Sequence, residues 1–187
     1  MKKVLVVGVG LIILTLLGSF IVGQISGQGN RNGTPVVGAL KDYASATLGI
    51  EIGYPKTWSV QEDGKGVYFI SPKTDSADTI RENINVLVED LAEKVDLAEY
   101  TTSALFQVAA LDNYSMQDDT KSRVGVLPGH MITYQAMIEG HTMQFQQAWT
   151  VKDDKAYLIT LAAAPETFSN YRAIFNRMAK SFKVQTR

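Results

Sequence analysis

The sequence predicts an α+β domain, on three observations. Short runs with apolar residues at every second position recur along its length, two stretches carry the 3.6-residue apolar spacing of a helix, and turn residues punctuate the intervals. Closely spaced strands joined by turns, with two one-faced helices among them, imply an antiparallel sheet on which the helices pack.

The first element is a leader. After Met1-Lys2-Lys3, residues Val4 to Val22 contain no charge. As a helix, that run would be about 28 Å long, close to the roughly 30 Å hydrocarbon core of a bilayer. The lysines belong on the cytoplasmic side, which places the rest of the chain outside. Residues 1–23 therefore read as an uncleaved membrane anchor, with a cleaved signal peptide as the alternative. The apolar run is long for a signal, and Gly27-Gln28-Gly29 makes a poor cleavage site. Gly8-Val9-Gly10 looks like the start of a dinucleotide fingerprint, but Ile13 stands where the third glycine should be. Residues 24–41 are polar, rich in glycine and without apolar period, a tether with a mean reach of about 25 Å.

The domain, residues 42–187, follows in order. Ile50 and Ile52 lead into Tyr54-Pro55, and Trp58 and Val60 follow. Asp63-Gly64 is a hairpin-type turn before a strand at Val67–Ile70. Ile84, Val86 and Val88 mark the next strand. Asp96, with Glu99 three residues on, is a capping box. The helix it starts carries a stripe of Leu97, Tyr100, Ala104, Val108 and Leu111. A strand over Thr120–Leu127 is expected to stop at Pro128-Gly129. Ile132, Tyr134, Ala136 and Ile138 share one strand face, as do Met143, Phe145, Gln147, Trp149 and Val151. Asp153-Asp154 turns the chain into Ala156–Ala162, apolar on both faces and so a central strand. A second helix follows Pro165, with the stripe Phe168, Tyr171, Phe175, Met178 and Phe182.

Composition excludes several functions. There is no cysteine, so disulfides, thiolate catalysis and lipidation of an N-terminal cysteine are ruled out. With Lys2 and Lys3 set aside from 18 basic residues, the remainder carries about −3 against 19 acidic ones. That is the wrong balance for a nucleic-acid binder.

Gly49-Ile50-Glu51-Ile52-Gly53-Tyr54-Pro55-Lys56-Thr57-Trp58 resembles the opening of PsbP-like domains. Phe69-Ile70-Ser71-Pro72 with Asn83-Ile84-Asn85-Val86 resembles their middle, and Ser181-Phe182-Lys183-Val184 their ending. The resemblance implies an α-β-α sandwich, a central antiparallel sheet flanked by helices. It also implies a non-catalytic docking role, since the family includes extrinsic subunits of the photosystem II oxygen-evolving complex that help retain calcium and chloride. Calcium enters here through the resemblance alone, and no cofactor is expected. The leading expectation is a membrane-anchored, extracytoplasmic binding or assembly module with a protein partner at the membrane. An extrinsic photosystem II subunit is the narrower alternative, and a hydrolase built on His130 or His141 the remote one.

Candidate sites are few. His141 and Asp153 are weak metal candidates, separated by about 40 Å of extended strand. Asp118 and Asp119, read as loop residues, could hold calcium only weakly, without the glycine and glutamate of a dedicated loop. Charge is more telling. Residues 75–119 hold 11 acidic residues against Arg81 and Lys94, while Arg172, Arg177, Lys180 and Lys183 lie near the C-terminus with no acid among them. These four are the interface candidates, either as a bipolar docking surface or as solvated charge favoured by the helix dipole.

Overall fold

The computed structural model describes residues 38–73, 81–92 and 94–185. In chain order they form β1 (Leu40–Ser45), β2 (Ile50–Pro55), β3 (Ser59–Glu62), β4 (Gly66–Ile70) and β5 (Asn83–Asp90). Then come α1 (Leu97–Val108), β6 (Ser115–Val124), β7 (Leu127–Ile138), β8 (His141–Lys152), β9 (Lys155–Ala163), α2 (Phe168–Ser181) and β10 (Lys183–Val184). The strands make a seven-stranded sheet, ordered β3-β4-β5-β9-β8-β7-β6, and a three-stranded sheet, β1-β2-β10. Every pairing in both is antiparallel.

This corrects the expected fold class. The molecule is mostly β, and it is not an α+β sandwich of one central sheet between helical layers. Helix α1 covers one face of the large sheet, but α2 shares the other with the second sheet, whose Ile50 and Ile52 join the same apolar cluster. Period-two spacing shows that a segment is a strand and which of its residues point the same way. It does not show which sheet the strand joins, and β1, β2 and β10 left the main one. The leader lies outside the described residues, among which no helix is long and apolar enough to cross a membrane. Strand β1 begins at Leu40, so the last two residues of the segment read as a tether are strand.

Strand β9 occupies the middle of the large sheet. Tyr157, Ile159, Leu161 and Ala163 point to the α2 side, where they meet Ile174, Phe175 and Met178 of that helix. Ala156, Leu158 and Ala162 point to the α1 side, among Trp149, Tyr134, Phe145 and Tyr100. Helix α1 starts as its sequence dictates, with both arms of the Asp96/Glu99 capping box formed.

Tight turns set the registers. Glu139-Gly140 and Asp153-Asp154 have positive φ at both central positions, the type I′ geometry that suits hairpin twist. The β6–β7 hairpin differs from its expected form. It turns at Gly125-Val126, and Pro128 and Gly129 lie inside β7, where a proline in the second position costs little ladder bonding. Gly125 has φ +58°, its N–H donates to the Ala179 carbonyl at 2.8 Å, and a Cβ there would sit 1.9 Å from the Phe182 carbonyl oxygen. Only glycine can seat this hairpin against the end of α2.

Substituting Gly125 with alanine should therefore lower unfolding stability by about 2–3 kcal/mol. Gly64→Ala, at φ +82° but in open space, should cost only about 1 kcal/mol. Urea unfolding of the two variants checks the difference, and equal losses would contradict the contact.

Candidate functional site

Because α1 and α2 pack on opposite faces of the large sheet, the acidic residues that start α1 and the basic residues of α2 lie on opposite sides of the molecule. On the α2 side, Arg172, Arg177, Lys180 and Lys183 are all exposed. The Arg177 guanidinium donates to the Gly38 carbonyl at 3.0 Å, and the Lys183 ammonium lies 3.3 Å from Glu51. The hairpin tip joins this side through Gly125. Its Val126 is 80% exposed, and Arg123 donates to the Val126 carbonyl at 2.6 Å.

The α1 side is different in kind. Asp96, Glu99, Asp112 and Asp119 are exposed there. Between them, Tyr100 to Leu111 contains no charged residue. Tyr100, Ala104 and Val108 turn inward, as their spacing requires, and Ala98, Thr102 and Phe106 turn outward. Phe106 is 76% exposed. An amphipathic helix ordinarily carries charge along its outer face, and past Glu99 in its first turn this one does not.

Two polar bonds pin α1 to the sheet. The Tyr100 hydroxyl donates to Glu89 at 3.0 Å, and the Trp149 indole N–H donates to the Thr101 hydroxyl at 2.9 Å. Beside them His130 stacks on Trp149, with ring centroids 5.1 Å apart, and its Nε2 meets Asp119 Oδ1 at 2.6 Å. Sequence reading missed this pair because it placed Asp118 and Asp119 in a loop. Both lie in β6, where a bulge at Gln117 shifts the register and Asp119 pairs with Ile132, one pleat from His130. The signal was Gly125, since a two-residue turn there sets Lys121 opposite His130. Phe106 was missed for another reason: attention to the inward stripe leaves the outward one unread.

Other expected sites stay apart. His141 opens β8 and Asp153 follows its end, so a full strand separates them. Among the described residues no group of three or more His, Asp or Glu is arranged to hold a metal ion. His130 and His141 hydrogen-bond to no hydroxyl among the described residues, and a nucleophile–base pair of the hydrolase kind is not assembled. Within the core, Asn85, Thr160 and Gln147 form a buried polar row under α1. Gln147 donates to the Thr160 hydroxyl at 3.1 Å, and Asn85 to the Thr160 carbonyl at 3.3 Å.

A sequence profile of PsbP-like proteins matches residues 12–184. The chain belongs to the PsbP-like family. Solved structures agree on the PsbP-like fold. Cyanobacterial PsbP (CyanoP) from Synechocystis sp. PCC 6803 is 15% identical, with a TM-score of 0.55 over 87% of this chain and 99% of its own. LpqN of Mycobacterium tuberculosis, involved in cell envelope biogenesis, is 13% identical, with a TM-score of 0.63 over 73% of this chain and 83% of its own. PA94 of Pseudomonas aeruginosa, of unknown function, is 13% identical, with a TM-score of 0.59 over 80% of this chain and all of its own. None of the curated proteins matches. The opening and closing stretches that carried the resemblance are β2 through Trp58 and the end of α2 through β10, which pack together in this PsbP-like domain.

The attachment of α1 makes a prediction about alkali. Burial, then the charge and hydrogen bond of Glu89, push the Tyr100 phenol far up. Burial, then Glu62, pushes Tyr43 up to about 12, and burial, then Asp63, does the same for Tyr68. Groups whose folded pKa lies above the unfolded value of about 10 support the fold fully below it and lose that support as pH rises. The urea midpoint should fall from about pH 10 upward, and Tyr100→Phe should flatten that fall. An unchanged alkaline profile in the variant would contradict the assignment.

Proposed function

We propose that this chain is a non-catalytic PsbP-like binding or assembly module, tethered outside the cytoplasm by residues 4–22, that docks a protein partner through the outer face of α1. The observation that carries this reading is the charge-free stripe ending in Phe106. Phe106 stands three-quarters exposed on a helix without a single charge between Tyr100 and Leu111, a face that a protein contact would cover. Exposed aromatics of this kind are frequent anchors of protein interfaces. The acidic rim of Asp96, Glu99, Asp112 and Asp119 fits a partner with an apolar centre and basic surroundings, and would speed its approach.

The family supports a binding role in place of chemistry. LpqN, of like fold, is involved in cell envelope biogenesis, which favours an extracytoplasmic setting for this chain as well. The anchor is supported by the leader's length and by the lysines before it.

A photoreactive residue at position 106, in the full chain expressed in its host, should form one discrete protein adduct in the membrane fraction. Phe106→Glu should reduce recovery of that partner at least tenfold, as expected for an anchor residue, while the unfolding midpoint stays close to that of the parent chain. A chlorophyll-bearing adduct would narrow the partner to photosystem II. Absence of any protein adduct from position 106 would remove the reading.

A further inference from the structure

The α2 side differs from the α1 side in three ways that point to one partner. Its helix presents exposed Arg172, Arg177 and Lys180 beside the acidic Asp42 and Glu51 of the small sheet, its apolar contribution is a small hairpin tip, and Gly38 lies against it. Gly38 is held by Arg177 of α2. Only the 15 residues 23–37 separate it from the apolar run that ends at Val22, a span of at most about 55 Å of chain. Any surface that run enters is therefore within reach of α2.

We infer that this side rests on the anionic headgroups of the bilayer, with Val126 as its apolar contact. The inference rests on the tethered reading above. Gly125 brings the elements together: its N–H binds the Ala179 carbonyl, and its α-carbon abuts the Phe182 carbonyl. The residues that follow those two carbonyls are Lys180 and Lys183, and the residue that follows Gly125 is Val126. Arg123 completes the group by its bond to the Val126 carbonyl. An exposed aliphatic side chain among three exposed cations, with Arg172 further along the same helix, is the chemistry of a peripheral contact with acidic lipid. Each basic group near such a surface strengthens the association by about fivefold at moderate salt. Glu51 offsets part of the charge of Lys183, which leaves Arg123, Lys180 and Arg172 as the main contributors. One helix-dipole contact at the end of α2 explains Lys180 but neither Arg172 nor the valine at the hairpin tip. With α2 against the lipid, α1 and Phe106 face away from it, toward a partner.

The absence of native cysteine gives a clean test. Val126→Cys and Phe106→Cys variants of the full chain, each carrying an environment-sensitive fluorophore, are reconstituted into vesicles. One set is phosphatidylcholine alone and the other equal parts of phosphatidylcholine and phosphatidylglycerol. Flotation with neutral vesicles reports the tether, independently of the face. The probe at 126 should report an apolar environment only with phosphatidylglycerol. The response should fall at least fivefold with Lys180→Glu and vanish in about 1 M salt, where the Debye length is about 3 Å. The probe at 106 should stay in water throughout. Equal signals at 126 in both lipid mixtures would overturn the inference, and so would a signal at 126 that appears only when a protein is added.

Discussion

The constraint on which the rest depends is that β9 has no polar side. Its residues from Ala156 to Ala163 are buried whichever way they point, so the sheet must be covered on both faces. One helix cannot do this. Helix α1 covers the side of Leu158 and Trp149, and α2 with the small sheet covers the side of Ile159 and Leu161. The distribution of charge follows from this packing. The acidic residues that start α1 and the basic residues of α2 belong to the covers of different faces, so they do not meet. The polarity of the surface is thus a consequence of burying one strand twice.

How far this was legible in the sequence varies with the physics behind each element. Helix α1 was readable because its cap is a local device: Asp96 and Glu99 need only each other and the backbone between them. The same holds for Asp153-Asp154, whose two positive φ values form a turn wherever the strands beside it are. The double burial of β9 was readable from apolar residues at consecutive positions. The division into two sheets was not. Ile50 and Ile52 look alike whether they join the large sheet or pair with Tyr43 and Val184 across a separate one. That choice depends on α2 wedging between the sheets, a long-range contact with no local signal. The α-β-α expectation, taken from family likeness, failed at the same place, since it counted as one helical layer a side that is half sheet.

The candidate site was partly legible for a similar reason. The four basic residues of α2 and its end are exposed where the sequence put them, because helical period alone separates Arg172 and Arg177 from Tyr171 and Phe175. The contribution of the hairpin was hidden. A strand running from Thr120 to Leu127 would keep Val126 inside a ladder, whereas a turn at Gly125 sets it at the tip, and Arg123 in the adjoining ladder reaches its carbonyl. One residue without a Cβ decides between these, and the reason for it lies in Phe182, far along the chain. Asp119 and His130 were separated on paper by the same error and are joined by the same turn.

These two sides also explain why a domain with ordinary packing motifs presents two unlike surfaces. Polar residues inside it, such as Asn85, Thr160 and Gln147, are tied to one another and to the backbone, which specifies register more than it invites a ligand. Among the described residues two surfaces stand out, an apolar helix face with an acidic rim and the basic outer face of α2. Were both on one side, a single partner would have to satisfy opposite charges. On opposite faces of the seven-stranded sheet, each meets its own surroundings.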